Sequence, residues 1–157
     1  MKNTNPNIPP FFYVVNVEGA IFNDDRWLMI QRSKKEEYAG GVLSFVGGKV
    51  DNTTNQDNIL ENTLEREIFE EVGIRINRQM IYVNSSLFIA DGVPVLDIVF
   101  LCQYKSGEPY CKSLDEVDMI YWMTIEEVIR NPKTPIWLKR NIEMADIVRK
   151  QLIQKLI

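Results

Sequence analysis

The run Leu64-Glu-Arg-Glu-Ile-Phe-Glu-Glu-Val-Gly-Ile74 narrows the folding options of this chain more than any other stretch. Leu60, Leu64, Ile68 and Val72 recur at intervals of four, which makes one apolar stripe along a helix over roughly 58–72. Asn58 is the expected N-cap, with Glu61 three residues on as in a capping box. Gly73 stands where a left-handed C′ residue ends a helix. At about 100° per residue, Glu67 and Glu71 fall at or inside one edge of the stripe, with Glu70 just beyond. Glu61 and Glu65 suit a solvated face. Like charges four apart cost roughly 0.2–0.5 kcal/mol, and more when partly buried. A divalent cation reverses that sign, and clustered carboxylate oxygens suit Mg²⁺ first and Mn²⁺ next. Read from the residues alone, an acidic solvated face and a metal site both stay open.

The flanking segments predict strands. Residues 11–22 and 26–32 read as a hairpin about the turn Asn23-Asp24-Asp25. A short apolar run at 40–48 lies between two glycine pairs, and the polar run 51–58 reads as a loop. Residues 80–90 and 94–104 form a second pair about Asp91-Gly92-Val93, and 118–124 is a further short strand. A helix follows from Ile125 to before Pro132, and a long amphipathic one over 135–156. Strands and helices mixed irregularly imply an α/β fold with a mixed sheet covered by helices. No repeat or linker divides the chain. Residues 1–10 read as a flexible polar tail and 11–157 as one domain.

Composition removes several chemistries. There is no histidine, which excludes Ser-His-Asp and Cys-His nucleophile systems and His-ligated zinc. A net charge of −4 without a basic patch argues against nucleic acid as partner. Cys102 and Cys111 have no metal-type spacing and imply a reducing compartment. No segment has the length of a membrane span or the pattern of a signal peptide, so the expected location is cytoplasmic. Neither the Walker pattern nor a dinucleotide GxGxxG occurs.

Together, Gly47-Gly-Lys-Val50 and Arg66-Glu-Ile-Phe-Glu-Glu-Val-Gly-Ile74 resemble the signature of the Nudix hydrolases. Arg66, Glu67, Ile68, Glu70, Glu71, Gly73 and Ile74 match every defined position of its second half. The resemblance extends over roughly residues 11–130. Three features depart from the pattern. The connection from Gly48 to Arg66 carries four extra residues, in the loop 51–58. Asn58 stands where the family has its first Glu, with Asp51 or Asp57 as substitutes for an outer metal contact. Val46 replaces a common Pro.

The resemblance implies a three-layer α/β/α sandwich and hydrolysis of a nucleoside diphosphate linked to another moiety, with Mg²⁺ as cofactor and Mn²⁺ as its alternative. Glu67, Glu70 and Glu71, helped by the carbonyl of Gly47, would ligate the metal. Arg66 would point away from the metal face and anchor neighbouring carboxylates or loops. Arg32 would hold a phosphate, with Gly48 and Lys49 beside it; a plain surface arginine explains Arg32 equally well. Phe45 and Trp122 would stack on a base or else fill the core. Glu116, next to Asp115, is the expected general base, with Glu67 or Glu70 as the alternative. A small nucleotide is the expected partner, and a homodimer is compatible with the family. A nucleoside triphosphate, oxidised or not, leads as substrate. ADP-ribose or another nucleotide sugar comes second: the proline that often follows the signature in that branch is absent from Phe88 to Ala90, and Pro94 comes too late. A non-catalytic nucleotide-binding module comes third.

Overall fold

The computed structural model describes residues 11–51 and 56–156. The tail 1–10 and residues 52–55 of the expected loop lie outside them. Strands β1 (Val14–Asn23), β2 (Arg26–Arg32), β3 (Leu43–Ser44) and β4 (Val46–Lys49) precede helix α1 (Ile59–Val72). Strands β5 (Arg75–Ala90), β6 (Val93–Ser106) and β7 (Val117–Met123) follow, then helices α2 (Ile125–Arg130) and α3 (Ile136–Gln154). The sheet runs β3-β2-β1-β6-β5, with β4 paired to β1 and β7 to β2. β1 and β6 are parallel, from Val14 opposite Val95 to Phe22 opposite Gln103, and the other pairings are antiparallel. The expected mixed sheet between helices is therefore present. Among the described residues, no helix is long and apolar enough to cross a membrane.

Strand alternation divides the core into two layers. On the α1 side, Val17, Ile21, Leu28, Ile30 and Val46 pack on Leu64, Ile68 and Val72. On the α3 side, Ala20, Phe22, Trp27, Met29 and Leu101 pack on Leu138, Ile142 and Ala145. β5 begins at Arg75 rather than Met80, because the polar segment 77–79 is carried through an irregular stretch where pairing shifts between Ile76 and Met80. β1 begins at Val14, leaving Phe11 and Phe12 exposed before it.

The two ends of α1 behave differently from one another. Asn58 occupies the N-cap position, but its backbone is left-handed (φ 53°) and its side chain caps nothing. The αL geometry turns that side chain away from the free N–H groups, so the expected capping box does not form. Gly73 takes φ 73°, and its N–H donates to the Phe69 carbonyl at 3.1 Å. A Cβ there would stand 2.5 Å from Cε1 of Tyr110. Gly73→Ala therefore meets both backbone strain and a ring. It should destabilise the protein by about 1–3 kcal/mol, lowering Tm by about 2–4 °C per kcal/mol. A melting curve identical to the parent's would show that Tyr110 yields and that glycine is dispensable.

Candidate active site

Because Leu64, Ile68 and Val72 are buried under α1, the turns between them carry the carboxylates along the helix edge. Glu71 is only 6% exposed, Glu67 is half-buried and Glu70 is exposed. Burial, then the carboxylates of Glu116 and Glu67, push Glu71 up to about 9, against the pull of Arg32. Burial also raises Glu67, opposed by Arg66 and helped by Glu70 and Glu116. Glu67 lies directly on β4: a Cβ added to Gly48 would stand 2.7 Å from its Oε2 and closer still to its carboxyl carbon. Gly47 packs on the backbone of Val17 and Glu18, again with no room for a side chain. The glycine pair thus lets the chain run against the acidic edge of the helix.

Arg66 does not point away from this edge. Its Nη1 lies 3.1 Å from both Glu67 Oε1 and Glu70 Oε2, and its Nη2 lies 3.1 Å from Asp51 Oδ1. It anchors neighbouring carboxylates, as expected, but those carboxylates are the candidate ligands themselves. Although partial desolvation works against it, the three acids raise the guanidinium further.

Glu116 reaches the same edge from a strap between β6 and β7. The N–H groups of Lys112 and Ser113 donate to the Glu71 carbonyl at 3.0 and 3.4 Å, and that of Tyr110 to Val72 at 3.1 Å. The Lys112 ammonium sits 3.8 Å from the centre of the Phe69 ring. The Glu116 carbonyl accepts the Ser33 N–H at 2.9 Å, tying the strap to the end of β2. Glu116 is exposed and contributes to the shifts of both Glu67 and Glu71. Asp115 turns the other way and pairs with Lys35 at 3.2 Å.

Arg32 closes the arrangement. Its Nη2 donates to the Tyr38 carbonyl at 3.2 Å and lies 3.6 Å from Glu36 Oε2. Its Nε is buried without an acceptor. It acts electrostatically on Glu71 on one side and on Glu18 on the other. Lys49 is exposed at the end of β4. Phe45 is 2% exposed inside the α3-side core, so its ring has no free face for a base. Trp122 packs on the α1-side core with Tyr104 edge-on to it, centroids 5.6 Å apart. For Phe45 packing wins over stacking, whereas Trp122 stays partly exposed and lines a cavity with Tyr121, Met123 and Arg130.

The sequence reading missed a polar group on the other face of β1. Asn16 and Glu18 follow the alternation of Ala20 and Phe22 and so face the α3 side. Asn16 Nδ2 donates to Asp97 Oδ1 of β6 at 2.8 Å. Asp97 is 5% exposed. Burial raises the carboxyls of both Glu18 and Asp97, and Asp97 adds to the shift of Glu18. The signal was available: acids in the middle of Val-Val-Asn-Val-Glu-Gly-Ala-Ile and Val-Leu-Asp-Ile-Val-Phe are out of place in buried strands.

Residues 13–144 match the model of the NUDIX domain. The chain belongs to the Nudix family. Among solved structures it is similar to a MutT Nudix hydrolase from Burkholderia pseudomallei, with 26% identity and a TM-score of 0.69 over 86% of this chain and 97% of that one. A MutT protein from Methanosarcina mazei Go1 superposes with a TM-score of 0.73 at 20% identity, covering 91% and 99%. A bifunctional NMN adenylyltransferase/ADP ribose pyrophosphatase from Francisella tularensis, complexed with AMP and a manganese ion, gives 0.63 at 18% identity, covering 92% and 43%. No curated protein matches by sequence. The fold is the Nudix α/β/α sandwich, and the protein is a Nudix hydrolase.

Nudix hydrolases generally use divalent metals. Among the described residues no three acidic or thiol side chains close around one point, because Arg66 draws Glu67 and Glu70 to itself while Glu71 lies deeper. The donor set nevertheless suits a hard cation: it is all carboxylate oxygen, on two adjoining helical turns, with glycine backbone against it. Two outcomes follow. Gly48→Ala displaces the Glu67 carboxyl and should lower turnover at least tenfold while the far-ultraviolet circular dichroism stays unchanged; parental turnover would show that Glu67 can move without consequence. In chelator, Glu71 stays protonated in the folded state up to about pH 9, against an ordinary value of 4.5 when unfolded. Its contribution to stability is complete below the lower value and is lost as pH rises towards the upper one. Tm should therefore fall between about pH 5 and pH 9, and more steeply in the parent than in Glu71→Gln. Parallel profiles would place the Glu71 carboxyl in contact with solvent.

Proposed function

We propose that this Nudix hydrolase is a pyrophosphohydrolase of nucleoside triphosphates, including oxidised ones. The observation that carries this reading is Arg32, a cation with a buried, unsatisfied Nε, standing beside the acidic edge of α1 and the Glu116 strap. A guanidinium in that position suits phosphate oxygens. Glu67, Glu70 and Glu71, with the Gly47 carbonyl, would hold Mg²⁺ or Mn²⁺. When bound, such an ion neutralises the anhydride and lowers the pKa of water. Glu116 takes the proton of the attacking water, whose oxygen bonds to phosphorus. The bridging P–O bond then breaks, and its electron pair leaves on the phosphate or pyrophosphate oxygen. With no histidine in the chain, a carboxylate is the natural base at neutral pH. Arg32 orients the phosphates, and Arg66 releases or retains Glu67 and Glu70 according to the charge around them.

A Mg²⁺-dependent hydrolysis screen over nucleoside triphosphates, dinucleotides and nucleotide sugars tests the substrate. Faster turnover of ADP-ribose or a nucleotide sugar than of any triphosphate would overturn the triphosphate assignment. No turnover of any of them would favour a binding module. Glu116→Gln at saturating Mg²⁺ should lose roughly 10²–10⁴-fold in kcat with metal binding retained. A loss below about threefold would return the base to Glu67 or Glu70. Glu70→Gln and Glu71→Gln should each remove most activity with the fold intact.

A further inference from the structure

We infer that the outer edge of β5 pairs antiparallel with the same edge of a second copy of the chain, across a twofold axis near Ser85. β5 is the last strand of the sheet, and among the described residues it pairs only with β6. Its other row of N–H and C=O groups meets no backbone partner among those residues. A long bare edge invites further pairing, and proteins usually blunt one with charge, proline or a bulge. The first part of β5 is blunted in this way, by Arg75, Arg78 and the irregular stretch before Met80. From Gln79 to Ala90 the strand contains no charge and no proline.

The α3-side face of this segment is occupied. Asn84 Nδ2 donates to Asn141 Oδ1 of α3 at 2.9 Å, and Phe88 stacks on Tyr38 with centroids 5.5 Å apart. The strand is therefore held in place before a partner arrives, which lowers the ordering cost of association. The α1-side face is open. Tyr82, Leu87 and Ile89 share the face of Phe100, Leu96 and Pro94 opposite them and are 56%, 57% and 61% exposed. Tyr82 and Ser85 lie together on that face, their hydroxyl oxygens 3.0 Å apart. Beyond Ala90, Asp91 (φ 50°) and Gly92 (φ 79°) close a two-residue turn, so the end of the β5–β6 ribbon is fixed as well.

The charges along the strand identify the occupant. Cations stand at one end, Arg75 and Arg78, and an anion at the other, Asp91, and all three are exposed. A parallel copy would set like against like. An antiparallel copy sets each end against its opposite, and twofold symmetry makes the contact twice. The faces then give the register. Pairing with β6 shifts between Tyr82 and Asn84, so Val83 and Asn84 together occupy one place. Counted outward from Ser85 opposite Ser85 of the second copy, Leu87 meets the copy's Tyr82, Ile89 meets its Met80 and Asp91 meets its Arg78. The apolar pairs fall on the open face of both copies, and a slip of one place would turn them to opposite faces. A net charge of −4 opposes self-association in general, but the strip from Gln79 to Ala90 contributes none of it.

Sedimentation velocity of the full chain over a range of concentrations tests this. The parent should show a monomer–dimer equilibrium, with dimer dominant at tens of micromolar. Leu87→Glu places a carboxylate on each side of the axis and should leave only monomer, with a melting curve like the parent's. Asp91→Arg and Arg78→Asp should each raise the dimer Kd by about tenfold, since either one turns two cross-strand attractions into repulsions. Mixed in equal amounts, these two variants should associate with a Kd near the parent's, because each offers the charge that the other lacks. Should Leu87→Glu misfold, the mixing experiment alone decides. None of these readouts involves turnover, so they stand apart from the hydrolase reading. A parent that stays monomeric at every concentration overturns the inference. So does a dimer that folded Leu87→Glu leaves intact, or a mixture of the charge variants no tighter than either alone.

Discussion

The apolar stripe of α1 against the sheet fixes everything else about the catalytic face. Leu64, Ile68 and Val72 bury themselves on Val17, Ile21 and Val46. Gly19 allows the close approach, since a Cβ there would already stand 3.3 Å from Ile68 Cδ1. Burial of three aliphatic side chains at roughly 1.5–3 kcal/mol each outweighs the repulsion among neighbouring carboxylates, which is tenths of a kcal/mol per exposed pair. The helix is therefore held in one rotation about its axis. That rotation carries Glu71 under the strap and lays Glu67 on Gly48, whatever the acids themselves would prefer.

Two arginines manage the resulting charge in different ways. Arg66 lies on the solvent side and gathers Glu67, Glu70 and Asp51 with three contacts of 3.1 Å. Partly exposed pairs of this kind contribute little stability each, so their effect is to set side-chain direction. Arg32 lies between the two faces and leaves one donor unsatisfied. An unmet buried donor costs about 1–3 kcal/mol, and on the function proposed above a substrate phosphate would meet it. β1 connects the two regions. Its odd residues support the acidic helix, and its even residues pass from the α3-side core to Glu18 and Asn16.

The strap from Gly107 to Glu116 shows how a loop acquires a defined position without regular structure. Three N–H groups close on the last carbonyls of α1, which a helix end leaves free. Tyr110 fills the space over Gly73, and Lys112 covers Phe69. The same contacts that finish the helix therefore deliver Glu116 to the carboxylate edge.

Periodicity alone determined the helix, its buried stripe and which glutamates border it, because spacing along one helix is a local property. Alternation and turn residues likewise determined most strands, and Gly73 announced the helix end. The signature at 66–74 carried the family, since its residues are contiguous. The tertiary structure alone decided the rest. Asn58 has the right side chain for a cap but a backbone that points it elsewhere. Arg66 turns to the acids because Asp51 comes back to it across the loop. Phe45 is spent on packing in the α3-side core, while Trp122 packs on the other core and keeps part of its ring exposed. Glu18 and Asp97, nearly eighty residues apart in the chain, become neighbours on one face only through the parallel register of β1 and β6. Sequence spacing fixes neighbours within an element, but pairing between distant strands depends on the summed burial of the whole sheet, which no short stretch encodes.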